Sequence, residues 1–337
     1  MMRIAINGYG RIGRCIVRAL YETERNGQIT LAGINERFDL QSVAHLTRYD
    51  STHGTFHKKV STADNGLQIE NDHIRVFRET DPLKLPWKEL GIDVVLECSG
   101  SYTDRLTAEK HLRSGARKLL FSCPAQPDVD ATIVYGLNQH LLQPEHTIVS
   151  NASCTTNCIS HVIKIINDHF TIENGVITTV HSMMNDQPVI DAYHNPDLRK
   201  SRSSSNSIIP VHTALAKGIS RVFPQLAGRF TATALRVPTL NVSIMQLTAT
   251  VEKACSREEL NRRLAEAATG PLHGIVNYTE LPLVSCDFNH DPHSATIDGS
   301  HTSVSGDTLI QVMAWFDNEW GYANRMLDTA RAMVCNN

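Results

Sequence analysis

The sequence predicts an α/β chain in two parts: a doubly wound parallel sheet, then an α+β domain built on a mainly antiparallel sheet. Three observations lead there. Up to about residue 150, short apolar strands alternate with amphipathic helices. Beyond the next helix the pattern changes to long runs rich in β-branched residues. The length of 337 residues is more than one hydrophobic core usually serves, so two domains are expected.

Taken in order, Ile4-Ala5-Ile6-Asn7 reads as a short buried strand, and 11–24 as a helix with Ile12, Ile16, Val17 and Leu20 on one face. Residues 29–35 form the next strand. Strands at 93–98 and 118–121 enclose a helix over about 104–115, and strands at 132–135 and 147–149 complete the series. A helix follows over 159–170. In the second half, 177–181, 231–252, 274–288 and 308–315 read as extended strands, with 257–268 as one covering helix. Between them, 183–207 is polar and irregular, and a loop of that length in a compact domain is usually functional or disordered. Residues 319–334 read as a last helix returning to the first domain. The domains are therefore placed at 1–152, completed by a C-terminal helix at 318–337, and at 153–317.

Composition excludes several classes. Hydrophobic residues at 41% and charged ones at 20% are ordinary for a globular chain, and a net charge of −3 offers nothing to a nucleic acid. The cysteines at 15, 98, 123, 154, 158, 255, 286 and 335 are scattered, unlike the dense framework of a small secreted domain. The N-terminus enters a strand directly, which leaves no room for a signal peptide, and no apolar run reaches a membrane span. A soluble, cytoplasmic protein with no membrane partner is expected.

Gly8-Tyr9-Gly10-Arg11-Ile12-Gly13 follows a strand and opens a helix, the setting in which GxGxxG binds a dinucleotide. The first glycine permits the tight turn, the second admits a pyrophosphate, and the third allows close helix–strand packing. Glu36 ends the next strand, where a carboxylate accepts from a ribose 2′-OH and repels a 2′-phosphate. NAD is therefore the expected cofactor on a Rossmann-type domain. Arg37, its neighbour, keeps the alternative of NADP open.

Ser150-Asn151-Ala152-Ser153-Cys154-Thr155-Thr156-Asn157-Cys158 lies between a strand and a helix. Unpaired N–H groups and the positive helix end favour a thiolate there, so Cys154 is a nucleophile candidate whose pKa is expected to fall. The bland alternative is a buried structural thiol. A thiol nucleophile needs a base, and His181, ending the strand at the mouth of the long loop, is best placed among the histidines. The bland alternative there is a surface or core imidazole. His53, His290 and His293, or Cys154 with Cys158, invite a metal reading, but no further ligands stand at suitable spacing and no metal is expected.

With these motifs in place, the chain resembles the glyceraldehyde-3-phosphate dehydrogenase family along essentially its full length. The matching stretches are Asn7-Gly8-Tyr9-Gly10-Arg11-Ile12-Gly13-Arg14, Tyr49-Asp50-Ser51-Thr52-His53-Gly54, the nine-residue Cys154 motif, Leu235-Arg236-Val237-Pro238-Thr239 and Asp317-Asn318-Glu319-Trp320-Gly321-Tyr322. The resemblance implies that Cys154 is the nucleophile and His181 its base, and that Asn318 fixes the nicotinamide carboxamide. It implies that Glu36 holds the ribose and that Ser122 lies near the cofactor. Ser153, Thr155, Thr213 and Arg236 match anion-binding positions, and Arg202 falls in the loop that lines the anion region in the family. It also implies a small phosphorylated aldose as substrate and a homotetramer with the 183–207 loop at a subunit contact.

The departures point to a branch. Phosphorylating members typically follow the histidine with Ala-Tyr-Thr-Ala-Thr, and here Ser182-Met183-Met184-Asn185-Asp186 stands instead. Two hydroxyls become Met184 and Asp186, and a carboxylate repels phosphate. Ala214 replaces the glycine usual after Thr213. The segments running from His181 to His194, Ser207 to Thr213 and Pro282 to His293 are similar to the D-erythrose-4-phosphate dehydrogenase branch. The expectation is oxidation of erythrose 4-phosphate to 4-phosphoerythronate through a thioester that water hydrolyses, toward pyridoxal phosphate. A phosphorylating dehydrogenase of the three-carbon substrate and a non-catalytic NAD-binding interaction protein are the alternatives.

Overall fold

A computed structural model describes residues 1–193 and 197–335, so His194 of the resemblance and the last two residues of the expected C-terminal helix lie outside it. The chain divides into two compact units, Met1–Ser153 with Tyr322–Asn337, and Cys154–Gly321.

The first unit begins with β1 (Met2–Asn7), α1 (Arg11–Glu22) and β2 (Ile29–Asn35). Next come α2 (Leu40–Arg48), a short hairpin of β3 (Tyr49–Asp50) and β4 (Gly54–Thr55), and then β5 (Val60–Ala63), β6 (Gly66–Ile69) and β7 (Asp72–Phe77). It continues through α3 (Trp87–Leu90), β8 (Val94–Glu97), α4 (Arg105–Arg113), β9 (Lys118–Phe121), β10 (Ala131–Thr132) and β11 (Ile148–Ser150). One nine-stranded sheet runs β10-β11-β9-β8-β1-β2-β7-β6-β5, parallel from β10 to β7. Ile4, Ala5 and Ile6 are fully buried because β1 is central and covered on both faces, which is why it reads as an unbroken apolar run. Asp39 and Asp104 cap α2 and α4 by accepting the N–H groups of Ser42 and Thr107 at 2.9 and 2.8 Å.

Two features of this unit differ from the sequence reading. An antiparallel meander of β5, β6 and β7 extends the parallel sheet, with Asp64 and Glu70 in left-handed conformation (φ +46° and +50°) at its turns. The strand expected at 132–135 pairs only through Ala131 and Thr132. Ile133 and Val134 are buried but lead into a turn at Gly136 (φ +92°).

The second unit opens with α5 (Cys154–Phe170), five residues earlier than the apolar spacing indicated, and β12 (Ile172–Ser182). It continues with β13 (Ile209–Val211), α6 (Leu215–Val222), β14 (Phe230–Val237), β15 (Ser243–Val251) and α7 (Arg257–Thr269). Its last strands are β16 (Val276–Thr279), β17 (Ala295–Ser305) and β18 (Leu309–Phe316). They form a seven-stranded sheet in the order β13-β14-β12-β15-β18-β17-β16, mostly antiparallel. Helices α5 and α7 pack on this sheet. Strand β15 alternates buried and half-buried residues along its whole length, as a one-sided sheet requires.

The expected strand at 231–252 is two strands, broken where Pro238 cannot donate and Val242 turns at φ +63°. Only Val276–Thr279 of 274–288 is extended, since Pro282 is followed by a helical turn over Ser285–Phe288. Strand β17 was not expected, because its sequence is mostly polar and carries a bulge between Asp298 and Ser303. The final helix, α8 (Trp320–Cys335), belongs to the first unit from Tyr322 onward. No helix among the described residues is long and apolar enough to cross a membrane.

Candidate functional site

In the first unit, the turn after β1 is fixed by contact. Gly8 has φ +89°, and a Cβ there would lie 2.4 Å from the Ser99 backbone. A Cβ on Gly13 would lie 2.5 Å from the Gly8 carbonyl oxygen, so α1 packs close to the turn. Gly10 is different. Nothing lies within 4 Å of its missing Cβ, and it opens α1 without a side-chain cap. That open backbone at a helix N-terminus is the cradle a pyrophosphate needs.

Gly8, Gly10, Glu36 and Arg37 line one cavity of about 570 Å³. Glu36 is held rigidly: Oε2 accepts the Tyr9 N–H at 2.9 Å, and Oε1 accepts the Arg37 N–H at 2.7 Å. Tyr9 therefore contributes through its backbone, while its buried hydroxyl bonds Thr47 Oγ1 at 2.9 Å. Arg11 is committed to an ion pair with Asp50. Against the upward push of burial, Arg11 and the N–H groups of His53 and Thr52 hold Asp50 below the usual carboxylate range. Ile12 is half-buried on α1. Ser122 follows β9, with its N–H on the Glu97 carbonyl at 3.0 Å, and does not line the cavity. The open cradle and anchored Glu36 fit NAD. Glu36→Gln is expected to raise the KM for NAD about tenfold with kcat unchanged, checked by steady-state kinetics.

From the cavity wall, where Asn7, Asn35 and Tyr102 stand, runs a hydrogen-bond chain that the sequence did not reveal. Trp87 Nε1 donates to His111 Nδ1 at 2.9 Å, His111 Nε2 meets the Tyr102 hydroxyl at 2.7 Å, and that hydroxyl donates to Glu97 Oε2 at 2.5 Å. Asn7 Nδ2 donates to the same oxygen at 2.6 Å, and Asn35 Nδ2 donates to Asn7 Oδ1 at 2.7 Å. Burial raises the Glu97 carboxyl and pushes His111 down to about 4. These residues are scattered over the sequence, so no spacing signals them.

The turn that leads to Cys154 is strained. Ala152 sits at φ +55°, an unfavourable conformation for a residue with a Cβ, and its carbonyl accepts the Tyr322 hydroxyl at 2.8 Å. Asn151 Oδ1 accepts from Thr329 Oγ1 at 2.7 Å.

In the second unit, Cys154 is the first residue of α5, and its Sγ lies 3.9 Å from His181 Nε2. His181 stands near the end of β12, directly opposite Arg236 in the parallel register with β14. The ring meets Phe316 edge-on at 6.0 Å. Its Nδ1 lies 2.8 Å from the Ser182 carbonyl oxygen and 3.0 Å from Arg236 Nη1. Burial pushes His181 down to about 4, and the Arg236 charge adds to this.

The expected lowering of the Cys154 pKa is not what the structure gives. The residue is half-exposed, but desolvation of its sulfur pushes the thiol up to about 11. The opposing pull of Arg236 and of the helix-start N–H groups is the smaller effect. Burial thus disfavours the charged form of both the cysteine and the histidine.

Asn318 is buried with its amide oriented. Oδ1 accepts from Ser182 Oγ at 3.0 Å and from Ser243 Oγ at 2.8 Å, so the NH₂ group is the end left to donate. Asp186 is bound by Lys200 Nζ at 2.6 Å. Burial raises its pKa, but Lys200 and then Arg236 outweigh this and keep the carboxylate ionised. Thr213 accepts the Leu215 N–H at 3.2 Å at the start of α6. Arg202 is paired with Asp191 at 2.8 Å on the surface. Ser153 and Thr155 flank the cysteine and are half-buried. The structure thus gathers Cys154, His181 and Arg236 directly and links Asn318 through Ser182. The serines that orient Asn318, and Lys200, were not anticipated.

A Rossmann-type sheet with a dinucleotide cradle, followed by a unit with a paired thiol and imidazole, fits the class of NAD-dependent oxidoreductases. Residues 2–105 match the family model described as glyceraldehyde 3-phosphate dehydrogenase, NAD binding domain, and residues 153–318 match that of the C-terminal domain. The chain belongs to the glyceraldehyde-3-phosphate dehydrogenase family.

Proposed function

We propose that the chain oxidises D-erythrose 4-phosphate to 4-phosphoerythronate with NAD, through a Cys154 thioester hydrolysed by water, on the route to pyridoxal 5′-phosphate. The chemistry rests on the 3.9 Å approach of Cys154 Sγ to His181 Nε2. The thiol proton passes to Nε2 as sulfur attacks the C1 aldehyde. The backbone N–H of Cys154 and the imidazolium N–H then stabilise the thiohemiacetal oxyanion, where one such donor is typically worth about 3 kcal/mol. Bound NAD supplies the hydride acceptor. Glu36 would hold its ribose, the Gly10 backbone its pyrophosphate, and the Asn318 NH₂ its carboxamide. Once hydride has left and the thioester has formed, the imidazolium releases its proton to solvent, and the neutral His181 draws a proton from the water that opens the thioester and returns it to the departing Cys154 sulfur.

The choice of water rests on Asp186. An ionised carboxylate paired with Lys200 and acting on Arg236 disfavours a second phosphate at this place. Arg236, Ser153, Thr155 and Thr213 remain as candidates for the substrate phosphate, with Arg202 available only if it leaves Asp191. Turnover on the four-carbon aldose phosphate is expected to exceed that on the three-carbon one, and to persist without inorganic phosphate. Steady-state kinetics on both substrates, with and without phosphate, decide this. Activity lost on omitting phosphate would instead support the phosphorylating dehydrogenase. A burst of NADH on adding substrate would exclude a non-catalytic binding protein.

We also propose a cytoplasmic homotetramer with the 183–207 loop at a subunit contact. Val189, Ile190, Tyr193 and Leu198 are all more than two-thirds exposed on that loop, a concentration of apolar surface that supports a covering partner. A light-scattering mass of a single chain would refute the assembly. Appearance only in a membrane fraction after cell lysis would refute the location.

A further inference from the structure

We propose that Glu97 is a positioning residue for the dinucleotide cavity: two hydrogen-bond chains of fixed direction converge on its carboxylate, which holds Ser99 against the Gly8 turn. Glu97 does not itself line the cavity, but Asn7, Asn35, Glu79, Ser99 and Tyr102, all tied to it, do. This goes beyond the reaction proposed above and does not depend on it.

Each chain starts from a group that has no choice of direction. The Trp87 indole N–H can only donate, so at 2.9 Å it requires a lone pair on His111 Nδ1 and puts the ring hydrogen on Nε2. Burial pushes His111 down to about 4, so a second ring proton does not intervene near neutral pH. Nε2–H then donates to the Tyr102 hydroxyl at 2.7 Å, which leaves that hydroxyl's own hydrogen for Glu97 Oε2 at 2.5 Å. From the other side, the Glu79 backbone fixes Asn35. The Glu79 N–H donates to Asn35 Oδ1 at 2.9 Å, and the Glu79 carbonyl accepts from Asn35 Nδ2, also at 2.9 Å. The second Nδ2 hydrogen goes to Asn7 Oδ1 at 2.7 Å, so the Asn7 NH₂ is turned to Glu97 Oε2 at 2.6 Å. Both arrivals at Oε2 are donors.

Oε1 carries the turn. It accepts the Ser99 N–H at 2.8 Å and the Ser99 hydroxyl, which itself accepts the Ser101 N–H at 3.2 Å. The glycine turn rests on Ser99, since a Cβ on Gly8 would lie 2.4 Å from the Ser99 backbone. Glu97 is 1% exposed, so bulk water does not replace a lost partner there. Burial pushes its carboxyl up, and the donors of Ser99, Tyr102 and Asn7 oppose that push. A proton taken up would have only the Ser99 hydroxyl to face, and the Ser99 N–H would still find an oxygen lone pair. A glutamine exposes the polarity. Its NH₂ in the place of Oε2 meets two donors. In the place of Oε1 it meets the Ser99 hydroxyl, which can accept, and the Ser99 N–H, which cannot. The second arrangement spares Asn7 and Tyr102 and pushes Ser99 away, so the damage falls on the turn that cradles a pyrophosphate.

The test is calorimetric titration of the full-length Glu97→Gln protein with ADP-ribose, which carries the pyrophosphate, and with adenosine, which lacks it. ADP-ribose is expected to bind about tenfold more weakly than to the wild type, and adenosine to stay within about twofold of it. Equal weakening of both ligands would show damaged packing in place of positioning and overturns the proposal. So does an ADP-ribose affinity within about twofold of the wild type. Should the variant fail to fold, ¹⁵N NMR of histidine-labelled wild-type protein, assigned with His111→Asn, reads the direction of the first chain. A lone pair on Nδ1 with the hydrogen on Nε2 is expected, and the reverse tautomer overturns the proposal. Neither measurement involves an aldose phosphate, so failure here is separable from failure of the proposed reaction.

Discussion

Cys154→Ser is expected to abolish NADH formation, lowering turnover by more than about 10⁴-fold while leaving NAD binding unchanged. The serine hydroxyl keeps the size and the place at the first position of α5. It loses the polarisable nucleophile and the leaving ability of a thiol, and without a thioester no stored acyl group exists for water to attack. NAD titration by fluorescence separates the two effects, because the Gly8, Gly10 and Glu36 cavity lies wholly within the first unit. Turnover near the wild-type rate would show that the chemistry lies elsewhere.

His181→Asn is expected to lower kcat/KM by about 10²- to 10⁴-fold, the usual range for a general acid–base group, and to change the pH profile. In the wild type the base is neutral above about pH 4 and the thiol is protonated below about pH 11. The acid limb of kcat/KM should therefore lie well below the ordinary histidine value of about 6.5, since activity is lost only as falling pH protonates the imidazole. Without the imidazole, attack depends on thiolate formed by hydroxide, so the residual rate should climb as pH rises toward the thiol pKa. A variant with an unchanged bell-shaped profile would remove His181 from the proton path.

How much of this was legible in the sequence follows from the range of each interaction. The Gly8–Gly13 turn is local, and its glycines are demanded by neighbours a few residues away or by open space for a ligand. Cys154 and His181 were legible because each ends or begins a regular element next to a change of pattern. Arg236 was reachable only by resemblance, since its place opposite His181 depends on a parallel register between strands far apart in the chain. Ser182 and Ser243 orient Asn318 by the same kind of register and carry no motif. Strand β17 escaped because strand signals are apolar alternation, and its run Ser300-His301-Thr302-Ser303 offers little of it. The direction of the Cys154 shift was misjudged for a related reason. A helix start is visible in the sequence, whereas desolvation of one sulfur is a property of the packed unit.

Desolvation of the Cys154 sulfur bears on survival of the protein in oxidising conditions. Peroxide attacks the thiolate, and a thiol pushed up to about 11 exposes very little of that form at neutral pH. Peroxide is therefore expected to consume Cys154 slowly in the free protein and faster during turnover, which peptide mass spectrometry after peroxide exposure would check.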